Sequence, residues 1–304
     1  MVTQPTSRFS FGCDAMTSKV GAIFGGEVPV SVLTLPQPHG NTLVAGPVQY
    51  AFAQAGDLFC EFGAADGSYV EVAVIADGQG ALADRDTFAG GTCDPQYPPC
   101  ELVAGTFILV EGVSAAGRNL DSAEVAVWNE VRDLVRASPP SPPTWTPPTG
   151  TVAFPGDCAA LLPADRLAAV LGEESMEIKV RGRGGWSAWD WLLSNFWQAT
   201  PCDAGSTTGS AYEDPARLSL LWLPGGEWAF DSAATGDPVS FDGARGTDRA
   251  VVSCATFETT EVCHADVLLD ATWIRFSLPE VVTFADRVTA ASAIASIMAE
   301  SVYG

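Results

Sequence analysis

LFCEFGAADGSYVEVAV, residues 58–74, is the stretch that decides the fold. A strand runs up to Asp66 and Gly67, and an apolar–polar alternation follows them with the period of two that marks a half-buried strand. An Asp-Gly pair between two such runs is a turn signal, so the segment reads as a hairpin. Val70, Val72 and Val74 share one face. The expectation is an antiparallel sheet with one side turned to a core and Cys60 in its leading strand.

Working outward, Cys60 is the second of four cysteines, Cys13, Cys60, Cys93 and Cys100. Four more follow in the same order, Cys158, Cys202, Cys254 and Cys263. A short amphipathic helix is predicted after the first cysteine of each set. In LLPADRLAAVLG, Pro163 stands at a helix start and Gly172 at its end, with Leu167, Val170 and Leu171 on one face. MTSKVGAIFG repeats the pattern with Val20, Ile23, Phe24 and Gly25. A longer helix closes each half. Trp128, Val131 and Leu134 or Val135 recur at helical spacing in one, and Val288, Ala291, Ile294 and Met298 in the other. TFILVEGV and ATWIRFSL read as strands after the last cysteine of each set. The counterpart of the first hairpin is ARLSLLWLPGGEWAF, with its turn at Pro224 to Gly226.

The chain is thus expected to be a tandem duplication of α+β class, with two homologous domains over 1–136 and 151–304. In each, an antiparallel sheet is packed by N- and C-terminal helices and stapled by two disulfides. The short spacing of the third and fourth cysteines predicts local clips, Cys93 with Cys100 and Cys254 with Cys263, each joining a loop to an adjacent strand. Cys13 with Cys60 and Cys158 with Cys202 would then tie the first helix of each half to its hairpin. Closing loops of that length is worth about 3 to 4 kcal/mol per bridge in the chain-entropy model. Between the halves, ASPPSPPTWTPPTG (137–150) is dense in proline and uncharged, which favours an extended spacer. Trp145 within it is expected to pack back on a neighbouring domain.

Composition bounds the function. The net charge is −22, which repels phosphate backbones and anionic lipid heads and makes nucleic acid an unfavourable partner. Eight cysteines in a repeated frame point to an oxidising compartment, so a secreted or envelope-anchored protein is expected, with its leader removed ahead of residue 1. No run of about twenty apolar residues offers a membrane span. The cysteines lack the paired C-x-x-C or cysteine–histidine clusters of zinc sites, and the only histidines are His39 and His264. Neither a metal nor a cofactor is expected.

C-x-x-L-L-P-A-D-x-L-A-A-x-L-G after Cys158, together with QAGDLFCEF over Gln54–Phe62, resembles small secreted proteins and lipoproteins of actinobacteria of the DUF3558-like type. It is also similar to extracellular disulfide-bonded sensor domains of actinobacterial kinases. The resemblance implies an α+β domain whose curved antiparallel sheet is covered by helices, and it implies no catalytic residues. The doubling and the two extra cysteines per half depart from the simple pattern.

The most unusual local feature is GGWSAWDWLLSNFWQ, which gathers Trp186, Trp189, Trp191 and Trp197 ahead of Cys202. Trp186, Trp189, Leu193 and Trp197 stand at helical spacing, which suits a stripe buried in a core or in the seam between domains. The competing reading is an exposed aromatic face that stacks on sugars or cationic groups. That segment and the seam are where an unidentified ligand or protein partner is expected to dock. Asp84, Asp86, Asp231, Asp237, Asp242 and Asp248 match no calcium loop and read as turn residues. Glu173, Glu174 and Glu177 read as a solvated helix end. No G-x-S-x-G elbow is present, and Gly182, Gly184 and Gly185 lack the lysine of a phosphate loop. His264 is placed ahead of a strand and His39 in a loop. The function expected is therefore non-catalytic binding at the Trp-rich segment. The alternatives are an extracellular enzyme acting on glycans, with Asp190 or Glu213 as its carboxylates, and a structural component that self-associates.

Overall fold

A computed structural model describes residues 3–24, 30–31, 48–63, 68–78, 102–113, 121–180, 199–207, 218–257, 260–278 and 286–304. They divide into two compact units, one formed by Pro5–Thr34 with Gln49–Thr146 and the other chiefly by Pro147–Gly304. The class is α+β, with two antiparallel sheets and three disulfides among the described residues.

In the first unit a 3-10 turn, Cys13–Met16, leads into α1 (Thr17–Phe24). After β1 (Val30–Ser31) and α2 (Val48–Ala55) come β2 (Leu58–Gly63), β3 (Tyr69–Ile75) and β4 (Phe107–Val113), and α3 (Asp121–Ala137) ends the unit. The strands lie in chain order β1-β2-β3-β4, each antiparallel to the next. Val70, Val72 and Val74 do share the core face, where they meet Cys60, Phe62, Ile108 and Val110. Trp128, Val131 and Val135 of α3 close that core. α2 covers the opposite face through Phe52, whose ring lies 5.2 Å from that of Phe59 on β2. The change from helix to strand needs Gly56, at φ +76°, because a side chain there would also meet Arg8 Cγ at 2.5 Å.

The first part of the proline-rich stretch is bound to this unit. Arg8 donates from its backbone N–H to Gly56 and from Nε to the Ser141 carbonyl, and Thr6 and Thr144 bond through their hydroxyls. Ser10 and Ser138 do the same. Trp145 is half-buried.

The second unit opens with α4 (Cys158–Leu161), capped by the Asp157 carboxylate accepting from the Ala160 N–H at 2.6 Å, and α5 (Ala164–Leu171). Pro163 precedes α5, and Gly172 at φ +73° ends it in the left-handed conformation that glycine adopts without strain. Then follow β5 (Met176–Val180), β6 (Thr200–Ser206), β7 (Leu218–Leu223), α6 (Glu227–Ala233), β8 (Asp237–Val239), β9 (Arg249–Phe257), β10 (Thr260–Leu269), β11 (Thr272–Leu278) and α7 (Arg287–Tyr303). The sheet order is β5-β6-β7-β11-β10-β9-β8. After β7 the chain crosses to the far edge and returns strand by strand. Leu161, Leu162 and Leu167 join Ile294, Ala295 and Met298 of α7 over a face made by Cys202, Leu220, Trp222, Val267, Ile274 and Phe276.

Four expectations are corrected. EWAF after Pro224–Gly226 is helical and not a returning strand, because both edges of β7 are already occupied, by β6 and by β11. The Cys254–Cys263 clip joins no loop. Both residues lie in strands and face each other directly in the β9–β10 ladder. His264 does not precede a strand but sits inside β10. Val288, assigned to the buried stripe of the last helix, is 45% exposed, and the stripe begins with Ala290 and Ala291. Cys13–Cys60 and Cys158–Cys202 are bonded with Cα separations of 5.6 and 5.9 Å. Cys93 and Cys100 lie outside the described residues. Among those described, no helix is long and apolar enough to cross a membrane.

Candidate functional site

Side chains alternate across a strand, so the residues of the seven-stranded sheet that do not face α7 form a second surface. Pairing across five strands brings one row of it together. Asp203 of β6 stands opposite Ser219 of β7, Ser277 of β11 opposite His264 of β10, and His264 opposite Ser253 of β9. Ser219 and Ser277 are joined directly, since the Ser219 N–H donates to Ser277 Oγ at 2.8 Å. One row further on, Leu221 stands opposite Arg275, and Arg275 opposite Asp266.

Asp266 and Arg275 form a buried forked ion pair. Arg275 Nε donates to Asp266 Oδ1 and Nη2 to Oδ2, both at 2.8 Å, and Trp273 Nε1 donates to Oδ1 at 2.8 Å. The carboxylate has no solvent exposure and the arginine 5%. Two charges taken out of water persist only when their hydrogen bonds are met, as these are for the carboxylate. α6 lies over this end of the surface, with the Phe230 ring edge-on to Trp273 at 5.7 Å.

His264 is set apart. Its Nδ1 is buried and has no hydrogen-bond partner among the described residues. Burial pushes the imidazole down to about 4 from 6.5, the positive Arg275 adds to the shift, and Asp266 opposes it. The ring is therefore neutral at physiological pH. Serine, histidine and aspartate share this surface, yet the bonds among them are not those of an activated nucleophile. Ser219 Oγ donates to Asp203 Oδ1 at 2.7 Å, and Ser277 Oγ donates to the Ser219 carbonyl at 3.3 Å. Neither hydroxyl is spent on His264, whereas a general base must reach the proton it takes.

The first unit carries a different row across its own sheet. Ser31, Glu61, Glu71 and Glu111 are successive register partners across β1 to β4. Glu61 and Glu71 are buried. Neither row was found from sequence, because its members are far apart along the chain and only strand register makes them neighbours. A charged residue at the centre of a strand, such as Asp266, is the one signal that was available.

Of the other candidates, Asp242 lies in a turn and Asp248 in a loop, but Asp231 lies in α6, Asp237 in β8 and Glu177 in β5, which corrects the turn and helix-end readings for those three. Asp248 accepts from the Arg245 and Asp270 N–H groups and from the Tyr303 hydroxyl. Asp231 takes two bonds from Arg249. Asp237 lies on β8, and the Asp242 N–H is bonded to Ser296. Glu177 is paired with Lys179 on the exposed side of β5, and Glu173 and Glu174 follow α5. Trp186, Trp189, Trp191, Trp197, Asp190, Glu213, Asp84, Asp86, His39 and Gly182, Gly184 and Gly185 lie outside the described residues. Among the described residues, no three histidine, cysteine, aspartate or glutamate side chains gather to hold a metal.

The fold and this surface define a disulfide-stapled α+β protein of two antiparallel sheets. No family model, curated protein or solved structure matches the chain.

Proposed function

We propose that the protein acts outside the cytoplasm, secreted or held at the cell envelope, by binding a ligand or protein partner without chemistry of its own, through Trp186, Trp189, Trp191 and Trp197. The observation that carries this reading is where those residues fall. β5 and β6 are antiparallel neighbours, Val180 opposite Cys202, and two to five residues suffice to join such strands. The chain instead spends residues 181–199 between them, four tryptophans among them. Long connections within a compact domain tend to carry function. On the described surface Asp266 and Arg275 close on each other and Asp203 accepts from Ser219, while His264 is a neutral ring to which neither Ser219 nor Ser277 is bonded, which favours binding over catalysis. The disulfides favour an oxidising compartment.

We infer as well that the two units are copies of one domain. β5-β6-β7-β11 repeats the antiparallel order of β1-β2-β3-β4. The row Cys202–Leu220–Phe276 repeats Cys60–Val72–Val110, with each cysteine bonded to the residue that opens its unit's first helical turn. The interval from Val110 to the start of α3 equals that from Phe276 to the start of α7, and both helices have 17 residues.

Tryptophan accessibility tests the binding reading. Trp222 and Trp273, with no exposure, are internal references for shielded emission. Acrylamide should quench the native protein strongly, and replacing the four tryptophans of residues 186–197 by phenylalanine should remove that quenchable emission. In native mass spectra of protein recovered from its own cells, the same variant should lose mass that the wild type carries and releases on denaturation. Emission from those four as shielded as that of the references, with no bound mass, would overturn the proposal.

A further inference from the structure

The three described disulfides are not equivalent. Cys13 and Cys60 are 5% and 0% exposed, and Cys158 and Cys202 are 1% and 0%, so both bridges are enclosed in the two cores. In the third, Cys263 is equally enclosed at 1%, but Cys254 is exposed. Its two sulfurs also lie beside a cation, with Arg287 Nη1 at 2.8 Å from Cys263 Sγ and 3.9 Å from Cys254 Sγ. Arg287 is the first residue of α7. The bridge links two strands already held by a long ladder, so the hairpin does not depend on it for its register.

We propose that Cys254–Cys263 is a thiol–disulfide exchange site, opened in the folded protein by a dithiol that attacks Cys254. The polarity of the reaction follows from which atoms can be reached and which charge is accommodated. An incoming thiolate meets the exposed Cys254 Sγ and forms a mixed disulfide with it. The Cys254–Cys263 bond breaks, and its electron pair leaves on Cys263 Sγ as a thiolate. A buried thiolate would be costly in the apolar core, but Arg287 Nη1 is already in contact with that sulfur. A thiol whose anion is stabilised is the better leaving group. The second thiol of the dithiol then attacks the mixed disulfide and frees Cys254, so the reagent is oxidised to its disulfide and both cysteines are reduced. Two electrons and two protons are transferred in all. Neither core bridge combines an exposed sulfur with a cation, so exchange should be confined to this one among the three.

Reductive labelling of the intact, folded chain tests the site. The protein is treated with limiting dithiothreitol, the thiols are trapped with N-ethylmaleimide, and the labelled positions are mapped by peptide mass. Cys254 and Cys263 should acquire label well before Cys13, Cys60, Cys158 and Cys202, while near-ultraviolet dichroism stays native. Label appearing on Cys254 and Cys263 no sooner than on those four would overturn the proposal. Glutathione, a monothiol, should arrest the wild-type reaction as an adduct on Cys254, and an adduct found on Cys263 instead would also overturn it. A cation that lowers a thiol's pKa by about 2 units, at a sensitivity of about 0.5, changes the rate about tenfold. Arg287→Gln should therefore open about tenfold more slowly, with Arg287→Lys in between. An unchanged rate in a folded Arg287→Gln protein would remove the arginine's role, and the wild-type labelling order decides the site should that variant fail to fold.

Discussion

His264 carries a pH dependence that can be worked out from its surroundings. Its folded-state value is pushed down to about 4, first by burial and then by Arg275, whereas in the unfolded chain it returns to 6.5. Above about pH 6.5 the imidazole is neutral in both states and costs nothing. As pH falls from there toward about 4, the unfolded chain binds a proton that the folded one resists, so stability is lost across that window. At about 1.4 kcal/mol per unit the loss reaches roughly 3 kcal/mol at most, and less where solvent reaches part of the ring. Urea unfolding of wild type and His264→Gln between pH 4 and pH 7 should show the wild type losing stability faster on acidification. Equal slopes would mean that His264 titrates normally in the folded state. Little of this was legible in the sequence. EVCHADVLL hides a strand because Asp266 breaks its apolar run, although Cys263, Ala265, Val267 and Leu269 alternate into the core. Asp266 is tolerated there because register brings Arg275 opposite it, and register is not written in either segment alone.

Among the elements, those that carry their own punctuation were readable. Pro163 and Gly172 bracket α5, the valines of β3 alternate, and α3 and α7 have helical stripes, so these segments fold as their patterns direct. β7 was readable as a strand, since all six of its residues are buried, but the element after it was not. A turn at Pro224–Gly226 leads to a second strand only if a ladder edge is vacant, and β11, which follows far later in the chain, fills it. The bridges were legible where spacing limited the choices. Their contributions should scale with the loops they close, which span 47 residues for Cys13–Cys60 and 9 for Cys254–Cys263. In the chain-entropy model these are worth about 4 and about 2.5 kcal/mol. Paired alanine substitutions, compared by urea midpoint at constant m, should rank in that order. A larger loss from Cys254 and Cys263 would mean that the β9–β10 hairpin depends on its bridge after all.

For the whole molecule, the informative fact is that the two cores draw, among the described residues, on separate stretches of chain. One is built from residues between Phe9 and Val135, and the other from residues between Cys158 and Ala299. A domain with its own core can fold alone. A fragment of residues 147–304 should therefore fold, form Cys158–Cys202 and Cys254–Cys263, and melt in a single cooperative transition by circular dichroism. A fragment lacking near-ultraviolet signal would mean that the division does not mark an independent folding unit. The proline-rich stretch pointed to a division near the middle of the chain. What its composition did not reveal is that Ser138, Ser141 and Thr144 are bonded to the segment Thr6–Ser10. Those partners lie more than a hundred residues upstream.

The two outer strands of the larger sheet bear on how the protein behaves when crowded. A sheet grows by recruiting another chain to an edge with free N–H and C=O groups. β8 offers three residues, and the middle one, Pro238, has no N–H to give. β5 is also short, and it presents Glu177 and Lys179 to solvent, so an approaching strand would have to accommodate that ion pair. Both ends of the sheet are thereby poor templates for fibril growth, and the net charge of −22 keeps copies apart. A sheet so finished can be concentrated without its two outer strands recruiting further copies.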